Sequence, residues 1–360
     1  MNLNLIALGA LGAVMMALVL TLVSSAVHRR RRQRRAQRRE VQMRRVRPHL
    51  VAMASGEGEK EDEDVIDAVA AEDADLLAEA AVEMLGKLRG EAHSELVALL
   101  AGRGLLAAAR RQLTARSPDS RARAALLLGA TGDRDSVADV ARMLDDPVPE
   151  VGRVAARTLG KQGDSGAVAP LLASLDGSHR LPLGLVATSL LAIGRTAIEP
   201  LRAGLASAGR NGRVASAEVL GRLGAVESID GLLAALADDP DREVRLRCAH
   251  ALGRIGAPKG APALTRLLTT TDDVVMRAIC ARSLGEVGGP ATVALLVTAI
   301  NDSQHAVAGN AAEALVALGP AGMAALETMA VGGGSGAPYA RQALAREQLR
   351  NPPEREGASA

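Results

Sequence analysis

The chain has 360 residues, 43 Lys and Arg against 41 Asp and Glu, and neither Phe nor Trp beside a single tyrosine, Tyr339. Without rings it can build no stacking platform for single-stranded nucleic acid and no aromatic cage for a cation, and its core has to come from Ala, Leu, Val and Ile. The net charge of +2 hides an asymmetry: eleven arginines against one glutamate in residues 1–50, then fourteen acids against three bases in residues 51–95.

The first predicted element is a transmembrane helix over 3–27, a stretch with no charged side chain. Its nineteen most apolar residues would span about 28 Å, close to the hydrocarbon thickness of a bilayer. An arginine-rich segment over 28–50 follows, with Arg29, Arg30, Arg31, Arg32, Arg34, Arg35, Arg38 and Arg39 placed to meet anionic lipid, each worth about 1 kcal/mol at the surface. The positive-inside rule then predicts a single-pass cell-membrane protein, amino terminus outside and the rest cytoplasmic. The rival is a signal peptide cut near Ser24-Ser25-Ala26. Signal peptides carry their charge before the apolar stretch, whereas this chain carries it after. Specific nucleic acid is not expected from the run. Residues 51–64 read as an extended acidic linker. Residues 65–117 read as an amino-terminal capping unit, opened by a helix with an acidic face (Asp67, Glu72, Asp73, Asp75, Glu79, Glu83).

From here the chain repeats itself every thirty to thirty-two residues. The register is set by Gly132, Gly163, Gly194, Gly224, Gly256, Gly288 and Gly319. Seven residues before each stands an alanine, from Ala125 to Ala312, and four before each a leucine, from Leu128 to Leu315. Such a period means stacked units, none able to bury its apolar face alone. The unit from Asp135 to Gly163 shows the logic. Asp135-Ser136 can cap a first helix through Val137, Val140 and Leu144. Asp145-Asp146-Pro147 breaks it. A second helix runs from about Pro149 to Lys161 with Val151, Ala155, Ala156 and Leu159 inward, and Gly163 ends it. The fold class is therefore all-α: an αα-hairpin solenoid over 65–350, with regular repeats over 118–331. Gly332 to Gly336 reads as a flexible joint, 337–350 as a carboxyl-terminal partial repeat, and 351–360 as a disordered tail.

Segments such as Asp241-Arg242-Glu243-Val244-Arg245-Leu246-Arg247-Cys248-Ala249-His250-Ala251-Leu252-Gly253-Arg254-Ile255-Gly256 resemble HEAT repeats, in particular the bacterial HEAT-like kind also found in phycobilin lyases. The resemblance covers about residues 90–350, some eight units. It implies that Arg121, Arg213, Arg245 and Arg277, eleven before their glycines, belong to hydrogen-bonded ladders between neighbouring units. Leu183 and Ala308 stand at that position elsewhere, so interruptions are expected there.

Chemistry is sparse. The six histidines (His28, His49, His93, His179, His250, His305) form no metal-spaced pairs, and no His-Glu dipeptide of a HEAT-fold metal hydroxylase occurs. GxxxxGK, GxSxG and HExxH are absent. Cys248 and Cys280 share one register position in adjacent repeats and read as small buried residues in a reducing compartment. No catalytic, cofactor or metal site is expected. What remains is a stripe on the second helices carrying Arg157, Lys161, Arg222, Arg247, His250, Arg254 and Arg282 among Glu150, Glu218, Glu243 and Glu286. In HEAT arrays such a stripe lines the concave side, where extended partners lie. The expected function is a membrane-anchored protein-binding adaptor. A membrane enzyme such as a glycosyltransferase is the partner class that location suggests. The alternative is a lyase-like protein acting on a small molecule or cofactor.

Overall fold

The computed structural model describes Met16 and residues 40–351, and it divides into two compact units at Gln112 and Leu113. No helix among the described residues is long and apolar enough to cross a membrane. The second helices of the repeats run 14 residues or fewer, about 21 Å at 1.5 Å per residue. A bilayer core needs about 30 Å. This overturns the expected single-pass cell-membrane topology with cytoplasmic repeats. The 3–27 segment that suggested it lies, apart from Met16, outside the described residues, as do Arg29 to Arg39 and the tail beyond Asn351.

The first unit holds α1 (40–54), α2 (Lys60–Glu72), α3 (Ala74–Leu85), α4 (Glu91–Gly102) and α5 (Leu105–Gln112). Here the extended acidic linker over 51–64 is corrected. Its first residues finish α1, and its last ones form the opening turn of α2. The cause is local: Glu59 and Asp62 make a reciprocal capping box, and Glu61, Asp62 and Glu63 sit at the positive end of the helix dipole. Polar side-chain contacts then join these helices. His49 Nδ1 lies 2.7 Å from Asp62 Oδ1, Arg47 pairs with Glu83, and Arg103 Nε donates to Asp67 Oδ1 at 2.6 Å. Met43, Val46 and Leu50 of α1 are buried, so the end of the arginine-rich segment is an amphipathic core helix.

The second unit begins with α6 (Pro118–Thr131) and continues as helix pairs: α7 (Val137–Arg142) with α8 (Pro149–Gln162), α9 (Val168–Ala173) with α10 (Leu183–Ile193), α11 (Ile198–Ser207) with α12 (Arg210–Arg222), and α13 (Ile229–Asp238) with α14 (Arg242–Ile255). Then follow α15 (Ala261–Thr270) with α16 (Val274–Val287), α17 (Pro290–Ala299) with α18 (His305–Ala317), and α19 (Pro320–Val331) with α20 (Ala337–Arg350). Each second helix packs against its own first helix and against the second helices before and after it. The register alanines and leucines fill these contacts, none more than 3 % exposed. Each buried leucine contributes about 1.5–3 kcal/mol. All seven register glycines have φ between 62° and 80°, a region in which a Cβ would be strained. At Gly163 this left-handed residue caps α8 through Leu159 O.

Two expectations shift in detail. The first helix of the 135–163 unit is α-helical only over Val137–Arg142, with single 3-10 turns on either side. The glycine-rich 332–336 segment is tied down, since Asn301 Oδ1 accepts from Gly336 N at 2.9 Å and from Ser335 Oγ at 3.2 Å. It leads into α20, which packs against α19 and α18.

A second set of small residues controls how closely the second helices approach. Three residues before the register glycine stand Gly129, Gly160, Gly221, Gly253 and Gly285. Each faces the residue five before the next register glycine: Thr158, Ser189, Ala251, Ser283 and Ala314. A Cβ on Gly253 would lie 2.5 Å from Ser283 Cβ, and one on Gly221 2.7 Å from Ala251 Cα. These glycines cost about 1 kcal/mol each in helix propensity and return it as backbone-to-backbone contact. Thr158 Oγ1 uses the proximity to donate to Ala125 O across the α6–α8 seam at 3.0 Å. In α10 the same position is Leu191, so the α10–α12 seam lacks this glycine.

Candidate functional site

The arginines eleven before the register glycines each tie two things together. Nη1 of Arg121 donates to Ala115 O at 2.8 Å, holding the loop that precedes its own helix. Nε and Nη2 reach forward to both carboxylate oxygens of Asp146 in the next repeat, at 2.7 and 2.8 Å. Arg213 does the same with Ala208 O (3.1 Å) and Asp239 (2.7 and 3.1 Å). Arg277 does so with Thr271 O (3.1 Å) and Asp302 (3.3 Å). Each acid also caps its own loop, accepting from Val148 N, Asp241 N or Gln304 N. Burial pushes the Asp146 and Asp239 carboxyls up. The Arg121 and Arg213 hydrogen bonds, with the backbone N–H groups, outweigh it and leave both below the ordinary carboxylate range. Arg245 differs: its Nη1 holds Asp239 O at 2.6 Å and Pro240 O at 3.2 Å, while the next repeat supplies Thr271 where the acid should be.

A further ladder lies outside the first. Arg210 Nε donates to Asp241 Oδ2 at 2.6 Å, and Arg242 donates to both oxygens of Asp273 at 2.6 and 2.7 Å. Asp241 and Asp273 are the N-caps of α14 and α16, so the first residue of one second helix clamps the cap of the next. Sequence reasoning expected ladders between neighbouring units only at the arginines eleven before the register glycines. The signal it passed over was the 31-residue spacing of Arg210–Asp241 and Arg242–Asp273.

The charged stripe divides. On α12, α14 and α16 the register brings together Glu218, Arg222, Arg247, His250, Arg254, Arg282 and Glu286. Arg247 Nε donates to Glu243 Oε1 at 2.8 Å and its Nη1 to Glu218 Oε2 at 3.2 Å. Arg282 leans on Glu286 at 3.5 Å. His250 sits half-buried in a shallow notch with Glu218, Arg247, Ala251 and Arg254. Burial, and then the Arg282, Arg254 and Arg247 charges, lower its pKa against the opposing pull of Glu286. It is therefore a neutral imidazole at pH 7. Arg222 and Arg254 are exposed and make no ion pair among the described residues. Arg157 and Lys161 lie on α8, separated from this group by α10, whose sequence LGLVATSLLAI carries no charge. The structure does not join them to the cluster.

Among the described residues no group of His, Cys, Asp and Glu could hold a metal ion. Cys248 and Cys280 are buried free thiols, each pushed up to about 12 by desolvation and then by Asp239 or Asp273. Both should resist alkylation in the folded protein and react once it is unfolded. Rapid native labelling counted against denatured labelling by mass spectrometry would contradict their burial.

No curated protein matches the chain. Among solved structures it is similar to human deoxyhypusine hydroxylase (20% identity, 70% of this chain and 99% of that one, TM-score 0.31) and to importin beta (14%, 78% and 47%, TM-score 0.45). It is also similar to the CpcE–CpcF phycocyanin lyase complex of Nostoc (20%, 75% and 94%, TM-score 0.26). Neither the fold nor these likenesses supports a glycosyltransferase or lipid partner. The family model described as HEAT repeats matches residues 103–191 and 198–284. Together with the paired helices and the 31-residue register, this identifies the repeats over those residues as HEAT repeats.

Proposed function

We propose that the second unit is a non-enzymatic scaffold that binds an acidic segment of a protein partner across α12, α14 and α16. One observation carries the reading. Three consecutive second helices present Arg222, Arg254 and Arg282 on one surface, and the first two have no carboxylate of their own among the described residues. Exposed cations that lack internal partners are available to a partner's anions without first breaking an ion pair. The neutral His250 and Ala251 supply a less polar floor between them.

The test is site-specific photo-cross-linking in the cells that make the protein. A cross-linker at Arg254 should capture one protein reproducibly, whereas one at the exposed Arg266 on α15 should not. Arg222→Glu with Arg282→Glu should weaken that capture at least tenfold, equivalent to about 1.4 kcal/mol. The same proteins from both positions, or capture insensitive to charge reversal, would refute the proposed face.

A further inference from the structure

The inner ladder contains its own controls. Arg121, Arg213 and Arg277 each use Nη1 on the preceding loop and keep Nη2, with Nε in the first two, for an aspartate 25 or 26 residues on. Where the chain abandons a rung it mostly abandons both sides: Gly152 and Gly177 stand at one such pair of positions, Leu183 and Ser207 at another. The rung at Arg245 is different. The arginine is kept, half-buried and stapled to Asp239 O and Pro240 O, but its Nε and Nη2 have no carboxylate among the described residues. The position of the missing acid is Thr271, which reproduces half of the acid's work. Its Oγ1 accepts from Asp273 N at 3.2 Å, as Asp239 Oδ1 accepts from Asp241 N at 2.9 Å. Thr271 is partly exposed, has extended backbone (φ −87°, ψ 141°) in a three-residue loop, and is followed by Asp272 and Asp273. What the site lacks is an oxyanion on that hydroxyl.

We infer that Thr271 is a phosphorylation site, and that its phosphate completes the rung to Arg245 and clamps α14 to α16. The step is a phosphoryl transfer from a nucleoside triphosphate, catalysed by a protein kinase. Thr271 Oγ1 bonds to the γ-phosphorus, the bond from that phosphorus to the bridging oxygen breaks, and the nucleoside diphosphate leaves. The hydroxyl proton passes to the kinase's base. The product carries about −1.5 to −2 charge and three acceptor oxygens, a match for the planar guanidinium fork. Asp273 offers little opposition, because Arg242 already holds both of its oxygens. The clamp would stiffen the α14–α16 seam that carries Arg254 and Arg282, but its existence does not depend on any partner binding there.

The experiment installs phosphothreonine at 271 in the full chain by expanded-code expression and follows thermal unfolding, with and without Arg245→Gln. The phosphate is expected to raise the melting temperature by about 2–4 °C in the wild-type background and to leave it unchanged in the Arg245→Gln background. If Arg245→Gln does not fold, Arg245→Lys replaces it, keeping the charge but losing the fork, and at least half of the gain should vanish. Phosphopeptide mapping of the protein from its own cells should place phosphate on Thr271 rather than on Thr269 or Thr270. An unchanged or lowered melting temperature, a gain that survives loss of the Arg245 fork, or no phosphate on Thr271 in cells each overturns the inference.

Discussion

Gly253→Leu is expected to destabilise the second unit by about 3 kcal/mol or more, the upper range for overpacking a tight contact. The clash is with backbone as well as side chain. A Cβ at 253 would lie 2.5 Å from Ser283 Cβ and 2.7 Å from Ser283 Cα, so α16 as a whole has to move away from α14. Displacement of one second helix also strains the outer clamp, Arg242 to Asp273, which spans the same seam. A matched control is available. Gly309 in α18 has nothing within 4 Å of an added Cβ, so Gly309→Ala should stabilise by up to about 1 kcal/mol through helix propensity and a stiffer unfolded chain. Urea unfolding of both variants measures the difference. Similar effects at the two positions would mean that the seam does not depend on close backbone approach.

Asp239→Ala is expected to cost about 2–4 kcal/mol. Its carboxylate is 6% exposed and takes both Arg213 contacts and the Asp241 N–H. Removing it leaves a largely buried guanidinium without a counter-charge. The pH dependence follows in sign. Burial pushes the Asp239 carboxyl up, but Arg213 and the Asp241 amide together hold it below its unfolded value. Its contribution is therefore fully present above the unfolded carboxyl pKa, about 3.9, and is lost as pH falls through the lower folded value. The stability gap between wild type and Asp239→Asn, measured by urea unfolding at pH 7, should shrink at pH 3 and below. A gap that is the same at both would show that the carboxylate is not the anion holding this rung.

Much of the fold was legible because it rests on local periodicity. The spacing of Ala156 and Leu159 ahead of Gly163 is a helical face followed by its cap, and repetition of that pattern identifies the helices that stack. The glycines at 129, 160, 221, 253 and 285 were equally present in the sequence. They were passed over because a helix-interior glycine has no local meaning until a neighbouring backbone is seen against it. The acidic 51–64 stretch was misread for a related reason. Charge density suggests an extended chain, but Asp62 meets both a cap and His49, and neither contact follows from composition. The membrane expectation rested on the apolar length of 3–27 and the arginine run after it, and the span, apart from Met16, lies outside the described residues. No described helix is long and apolar enough to cross a membrane.

The candidate site was legible as a set of register positions and no further. The sequence by itself determined the 31-residue period, the alanine and leucine core, the register glycines and the residues able to share a charged face, because all of these repeat along the chain. Only the tertiary structure decided which acid each arginine takes. Arg213 reaches forward to Asp239 and Arg242 to Asp273, each in the next repeat. It also decided that α10, without a charge, cuts Arg157 and Lys161 off from the α12–α14–α16 cluster, and that Arg245 is left with a threonine where its neighbours have an aspartate. Those are facts of stacking between repeats, and a period read along the chain contains the spacing of the units but not the pairing across their seams.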